Sequence, residues 1–568
     1  MFSEETPSSA EQPLSVTTGQ GDTVYYKKRY LYSRFTPTKN PLLIVQKTEI
    51  KPGTLILCMS PLLGYGLAEL LTKLTASSCI LAIEYDEMLM AFSATHIAQS
   101  ILSHPQLKYV RTNSPTRIID ILATLPGAPF RRCIRIDLSG GAALYPGFYQ
   151  KVVSATDEAI AQFWKNRMTL IKLGRNYARN IFTNCSLLSK SYKLPEKNIL
   201  KPIFVAGAGP SLDTALPFLY RNRRFLFLLA VDAALPTLTD IGILPDAIVL
   251  VESQFWIERI FCGFRNTGIP VFTDMTANPR AITATGGPMY FFLSEYTEAR
   301  YFERLKAASF LPLIIPPLGS VGLVALYLAE QITTNQIPIF FSGLDFSWST
   351  GFTHSRGAHP VRSIFSTTNR LFPPNSINAS FAPGVFKTVG KNSEMYTDPT
   401  LSGYAEICRA IFGKLHSDSN YHLYDLGITG LETGCQKIDF KTAENLCRTS
   451  DINRNIVEEK NKTIRDKISS TNFTGESFPV DKQVIADFLE TEIRNLTELK
   501  SIMAGTTLPE NPDAAIAKYA RQMDYLYIHF PDGYRGYQQE ESFLKRMRIE
   551  IDYFLKTLTL ALNDILIT

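Results

Sequence analysis

The chain has 568 residues, 45% hydrophobic and 20% charged, with Lys+Arg 58 against Asp+Glu 53 for a formal charge of +5. That balance belongs to a folded chain of about three to four domains at roughly 150 residues each, and it excludes disorder throughout. The near-neutral charge and the lack of any Lys/Arg run argue against a nucleic-acid binder, while leaving room for a site that takes one small anion.

The N-terminal "MFSEETPSSAEQPLSVTTGQGDT" has no apolar core, so it is not a secretory signal, and residues 1–23 read as a polar, disordered tail. Residues 24–50 alternate apolar and polar groups and predict short antiparallel strands. From about 54 the order is strand "TLILCM", turn "SPLLGYG", helix "LAELLTKL", strand "CILAIEYD", ending on Glu84. This is the βαβ layout of a nucleotide or S-adenosylmethionine site, but its glycine fingerprint is reduced to Gly64 and Gly66. A Rossmann-like unit over 24–155 with no cofactor is the better reading. Residues 156–200 predict a helical connector.

Residues 201–450 alternate strand and helix repeatedly. The strands "PIFVAG", "FLFLLAVD", "AIVLVE", "PVFTDM", "MYFFLS", "LPLIIP" and "PIFFSG" are continuous apolar runs, as in strands buried on both faces. A doubly wound parallel sheet follows. The uncharged run Phe310–Ala329 is long enough for a membrane span, but Pro312, Pro316, Pro317, Gly319 and Gly322 make it strand, turn and buried helix. Residues 361–400 are poor in apolar periodicity and predict a long loop. From 451 to 568 the spacing of Ile485, Leu489, Leu496 and Leu499, then of Phe543, Met547, Ile551, Phe554 and Leu558, predicts a helical domain. The fold class expected is α/β: a central Rossmann-like sheet between an N-terminal β/Rossmann-like domain and a C-terminal helical domain. The eight cysteines form no C-x-x-C pair, so they read as small buried hydrophobes of a cytoplasmic protein, without zinc-ligand spacing.

The segment "IFVAGAGPSLD" carries the most chemistry. A buried strand ends at Ala206, Gly207 and Gly209 let the backbone approach a ligand, Pro210 suits a first helical turn, and Ser211 is placed to cap it. Free N–H groups there would seat a phosphate. No lysine follows the second glycine, so it is not a Walker loop. Other strand ends add Asp232, Glu252, Asp274, Gly319 with Ser320, and Asp345, and ligands of open α/β sheets lie at the carboxyl ends of the strands. His354 and His359 follow the last of these strands; a loop histidine is the usual general base. As metal ligands they lack a third partner, and no metal residues are assigned.

"GAGPSLD", "VDAALPTLTDIGILPDAIVLVE", "PLGSVGLVALYLA", "FFSGLDFSW" and "GFTHSRG" together resemble the Maf (motility-associated factor) proteins, flagellin glycosyltransferases that share an MptE-like, 6-hydroxymethylpterin diphosphokinase-like domain. The resemblance covers about 160–440 and extends more weakly to the N-terminal unit. It implies a central domain like that of bacterial sialyltransferases, and transfer of a nonulosonic acid from a CMP-activated donor to Ser or Thr of flagellin. Under it, Gly207, Gly209, Pro210 and Ser211 hold the nucleotide phosphate, and Asp232 and Glu252 contact cytidine or ribose, with Asp274 also on the nucleotide side. Gly319 and Ser320 hold phosphate and sugar carboxylate. Asp345 and His354 lie near the acceptor, with His354 the base. The chain departs from the family at "PPLGS", where a Gly-Gly-Ser turn is expected, and at Glu252, where an Asp is usual. The implied partners are flagellin and the nucleotide sugar, with no tightly bound cofactor, no nucleic acid and no membrane span; the need for Mg²⁺ stays open. Two other functions stay open: a pterin diphosphokinase using ATP and Mg²⁺, and a non-catalytic flagellin-binding protein.

Overall fold

The computed structural model describes residues 12–567 apart from 196, 198, 309, 335–336, 374–375, 414–421 and 461–480. Contacts divide the chain into two units, Met1–Thr169 and Leu170–Thr568.

The first unit begins with three antiparallel strands, β1 (Leu14–Thr18), β2 (Gly21–Tyr26) and β3 (Arg29–Tyr30). β1 and the start of β2 thus lie inside the span expected to be a disordered tail; residues 1–11 of that span fall outside the described residues. The expected strand at "PLLIVQ" is instead the helix Lys39–Lys47, which buries Pro41 and Val45 at helical spacing. β4 (Thr54–Met59), β5 (Cys79–Glu84), β6 (Leu107–Arg111) and β7 (Arg132–Ile136) form a parallel sheet in the order β6-β5-β4-β7. Alternate residues feed two cores: Leu55, Leu57 and Met59 on one face, Ile56 and Cys58 on the other. Burial on both faces is why these strands read as unbroken apolar runs.

At its nucleotide-like corner the acid is held by the protein's own donors. Glu84 is fully buried and accepts hydrogen bonds from Ser60 Oγ (2.6 Å), Tyr149 Oη (3.1 Å) and the Tyr85 and Asp86 amides. Asp86 caps the next helix and pairs with Lys27 at 2.9 Å.

The second unit is built on nine parallel strands: β8 (Ile203–Ala206), β9 (Phe227–Val231), β10 (Ala247–Leu250), β11 (Val271–Asp274), β12 (Met289–Ser294), β13 (Leu313–Ile315), β14 (Ile339–Ser342), β17 (Leu423–Asp425) and β18 (Gln436–Lys437). Their order is β13-β12-β11-β10-β9-β8-β14-β17-β18. The chain steps outward from β8 to β13. The apolar helix Val321–Ile332 then packs across β8, β9 and β10 and returns it to β14, on the other side of β8. The strand order therefore reverses between β8 and β14, where an open α/β sheet forms its ligand crevice. The expected strand, turn and helix over 310–329 is what forms.

The long helix Pro146–Leu188 spans both the end of the first unit and the expected connector. The expected loop over 361–400 instead holds the helix His359–Thr367 and an antiparallel hairpin of β15 (Phe386–Val389) and β16 (Glu394–Thr397). The C-terminal helices Lys482–Ala504, Pro512–Gln522 and Glu541–Ile567 follow the predicted periodicity, and they belong to the same unit as the large sheet. Among the described residues no helix is long and apolar enough to cross a membrane.

Candidate active site

At the reversal point the loops after β8 and β14 close on each other. The Gly207 amide donates to Ser342 O (2.8 Å) and the Gly209 amide to Gly343 O (2.8 Å). A Cβ on Gly207 would meet Gly343 O at 2.3 Å, and one on Gly209 would meet Asp345 Oδ2 at 2.2 Å. Glycine is therefore needed for backbone-to-backbone approach, not for approach to a ligand. Ser211 does not cap the helix Ser211–Asn222; Pro210 is the N-cap and makes no side-chain cap bond. Instead the Ser211 amide (3.1 Å) and hydroxyl (2.9 Å) both donate to Asp345 Oδ2, and Ser211 Oγ accepts from the Gly343 amide (2.8 Å). The phosphate seat read at Gly207, Gly209, Pro210 and Ser211 is thus occupied by the chain's own carbonyls and carboxylate.

A third loop locks this arrangement. Thr429 Oγ1 donates to Asp345 Oδ1 (2.7 Å), and the Leu431 amide to Asp345 O (2.8 Å). Gly430 has φ +103°, and a Cβ there would strike Asp345 Cα at 2.6 Å. Buried Lys391 pairs with buried Asp425 at 2.6 Å and donates to Gly427 O. Asp345 is 2% exposed, and burial pushes its carboxyl up to about 6 against the pull of its donors and Lys391. With every carboxylate oxygen engaged and almost no access to solvent, Asp345 is a strut between loops. Asp274 is fully buried and accepts from the Thr276 (2.7 Å) and Ser294 (2.9 Å) amides, tying β11 to β12.

Further polar groups lie at the strand ends over β9 to β12, where Asp232 is buried and Glu252 half-buried. Asp232, at the end of β9, accepts only from the Ala233 amide (2.6 Å) among the bonds seen, and burial, with the charge of Glu252 adding to it, raises its carboxyl to about 7. Glu252 is half-buried and accepts from the Gln254 amide (2.8 Å). Ser253 Oγ beside it is buried without a hydrogen-bond partner among the described residues. Tyr177 is pushed up to about 12 by burial and then by the charges of Glu252 and Asp274, with Tyr404 also in range; its ring meets Tyr296 edge-on at 4.8 Å. The helix Pro146–Leu188 delivers Tyr177 together with two staples at i+3 and i+7. Asn180 Nδ2 donates to Ser253 O and Thr276 O, and Asn184 Nδ2 to Met275 O and Ala277 O. Sequence reading passed over all three, although that spacing on one helix face was there to be seen.

Gly319 (φ +73°) and Ser320 stand exposed and half-exposed at the start of Val321–Ile332, which no side chain caps. Tyr404 covers Gly319, 2.6 Å from where a Cβ would be. Orphan amides of an uncapped 12-residue helix are a suitable seat for an anion.

His354 lies on the loop after β14. Its neighbours fix that loop to the β8 turn: the Ser355 amide donates to Ala208 O (2.8 Å), and the Arg356 amide to Asp213. His354 Nδ1 is 3.0 Å from Thr353 Oγ1, and burial lowers the imidazole below its ordinary value, so it is neutral at pH 7. A cavity of about 570 Å³ opens beside this loop, lined by Pro210, Asp213, Thr214, Thr237, Phe352 and Arg356 among others. His359 begins the helix His359–Thr367. Among the described residues no group of three His, Cys, Asp or Glu is set to hold a metal ion.

Residues 175–351 match the 6-hydroxymethylpterin diphosphokinase MptE-like family. An uncharacterised protein of Treponema pallidum is 37% identical over 558 residues, covering 96% of this chain and 95% of its own length. A second protein of that organism is 25% identical over 114 residues, 20% of this chain and 54% of its own. The solved Maf glycosyltransferase from Magnetospirillum magneticum AMB-1 superposes with a TM-score of 0.56 at 11% identity, covering 98% of this chain and 92% of that one, which establishes a shared fold. The chain therefore belongs to one family with the Treponema protein that matches it at 37%; it carries an MptE-like domain over 175–351 and shares the fold of the Maf glycosyltransferase.

Proposed function

We propose that the protein is a glycosyltransferase that moves a nonulosonic, sialic-acid-like sugar from a CMP-activated donor to Ser or Thr of flagellin. The observation that carries this is the likeness to the Maf glycosyltransferase over 98% of the chain, since the N-terminal unit and helical tail are included as well as the central sheet. The donor would lie on the open edge over β9 to β12. Asp232 and Glu252 would take ribose hydroxyls or base amines. The phosphate and sugar carboxylate would meet the amides after Ser320, a seat not already filled by the protein. His354, neutral at pH 7, would take the proton of the acceptor hydroxyl as its oxygen attacks the anomeric carbon and CMP departs.

CMP or a CMP-sugar should stabilise the chain against unfolding, by about 2.7 kcal/mol at 100 times its dissociation constant. Mass spectrometry of flagellin from cells with and without the protein tests acceptor and sugar together. No stabilisation by any CMP species in a folded sample would sink the donor assignment. The MptE-like match over 175–351 supports a second reading, diphosphate transfer from ATP–Mg²⁺ to a pterin. Stabilisation by ATP–Mg²⁺ and not by CMP would favour it.

A further inference from the structure

The helix Arg300–Ala307 packs against the C-terminal helix Pro512–Gln522, and a cavity of about 670 Å³ opens between the start of the first and one face of the second. Ala514, Ala517, Lys518 and Arg521 line it at the i, i+3, i+4, i+7 spacing of a single helix face. The two alanines give that face a floor without bulk, and the two cations stand beside it. Arg300 lines the cavity from the other helix, and Gln522 and Gln539 add amide N–H donors.

The three cations are not used by the fold. All are exposed, and among the described residues the side chains of Arg300, Lys518 and Arg521 make no hydrogen bond and no ion pair. The neighbouring acids are engaged elsewhere. Asp524 accepts from the Arg300 (2.6 Å) and Tyr301 (3.2 Å) amides, so it holds the backbone at this corner and not the guanidinium. Buried Glu492 holds Arg304 at 2.7 Å and accepts from Tyr525 Oη (3.0 Å). Asp513 is the one carboxylate among the described lining residues, so three cations face one acid and two positive charges are in excess. Like charges gathered on one cleft cost stability unless an anion answers them.

The size and the donor types narrow the anion. Small-molecule sites run from roughly 300 to 1,000 Å³, so a cavity of about 670 Å³ holds more than a single oxyanion. Guanidinium forks suit oxyanions, and a lysine adds a movable point charge. Donors that converge from two helices match tetrahedral phosphates, whose oxygens face both sides, better than a planar carboxylate.

We propose that this cleft binds a small molecule carrying two or more phosphate groups, held between Arg300 on one helix and Lys518 and Arg521 on the other. It shares no residue with Asp232, Glu252, Ser320 or His354, so the inference stands whether or not the transferase reading does.

Isothermal titration of the full chain with inorganic pyrophosphate, inorganic phosphate and citrate tests it. The cleft variant is Lys518→Gln/Arg521→Gln. The control is Lys482→Gln/Lys556→Gln, which removes the same two charges from exposed positions on other helices. The wild type is expected to bind pyrophosphate more tightly than phosphate or citrate, and less tightly as salt rises. The cleft variant should bind it at least roughly tenfold more weakly, as the loss of one charge-assisted bond alone predicts, and the control should match the wild type. Arg300→Gln, on the other helix, should weaken binding as well. Because these side chains are exposed and unbonded, every variant should keep the wild-type urea midpoint. Equal pyrophosphate affinity in the wild type and the cleft variant puts the anion elsewhere and overturns the site. An equal loss in the control reduces it to general charge attraction and overturns it too, as does a wild type that binds no pyrophosphate at millimolar concentration. Tighter binding of citrate or of single phosphate overturns the multiply phosphorylated ligand.

Discussion

Asp232→Asn tests the electrostatics at the end of β9. Burial and the Glu252 charge raise the Asp232 carboxyl from 3.8 to about 7, which corresponds to about 4 kcal/mol against its ionised form. The folded chain keeps the proton up to about pH 7, while the unfolded chain releases it near pH 4. Between those values the native state binds more protons, so stability falls as pH rises from about 4 to about 7, and the whole penalty is present above that. The asparagine variant cannot ionise and its amide oxygen can still accept from Ala233. It should match the wild type near pH 3, lead it by about 1 kcal/mol at pH 4.5 and exceed it at pH 8 by an amount approaching 4 kcal/mol. Urea unfolding followed by tryptophan fluorescence reads this directly, because Trp256 and Trp348 lie in the unit that holds Asp232, and Trp164→Phe silences the other unit. Glu252→Gln should move the midpoint of the wild-type fall to lower pH by removing the like charge. If wild type and Asp232→Asn keep a constant difference from pH 4.5 to 8.5, the burial argument is wrong.

Asp345→Ala leaves Ser211 and Thr429 with buried donors and should cost about 3 kcal/mol in the same unfolding assay, with partial recovery in sulfate or phosphate if an anion can replace the carboxylate. Gly209→Ala, whose Cβ would sit 2.2 Å from Asp345 Oδ2, should lower the unfolding free energy by about 3 kcal/mol or more. Gly403→Ala, inside the helix Pro399–Cys408 with nothing within 4 Å, should raise it by about 0.5–1 kcal/mol. His354→Ala should lower sugar transfer by ~10²–10⁴ without changing the CMP-induced shift. In the wild type, transfer should fall as acid protonates an imidazole whose value burial has already lowered.

The strands of both sheets were legible because two-sided burial writes itself as unbroken apolar runs, as in "FLLAV" of β9. The helix Lys39–Lys47 was hidden by the same kind of run: Leu42, Leu43 and Ile44 are consecutive, and only Pro41 and Val45 face inward. The elements within 361–400 escaped because they leave Phe365, Phe386 and Val389 outside, so no buried periodicity marks them. Strand-end polar residues could be picked out one by one. Which of them bond each other could not, since Ser211 and Asp345 are 134 positions apart and meet only through the β8–β14 pairing.

That pairing changes what an anion site means in this fold. A helix N-terminus favours negative charge from any source, including the protein's own. At Ser211–Asn222 the terminus already has its anion, because Asp345 Oδ2 takes the Ser211 amide and hydroxyl and is fixed from behind by Thr429. A substrate phosphate placed there would have to displace a buried carboxylate and repel it at short range. The terminus at Val321 has neither a capping side chain nor a resident carboxylate, and it opens beside Tyr404 toward the edge that carries Asp232 and Glu252. The two turns therefore differ. The first joins β8 to β14 and sets the geometry of the crevice, and the second leaves the amides at the start of Val321–Ile332 without a side-chain cap.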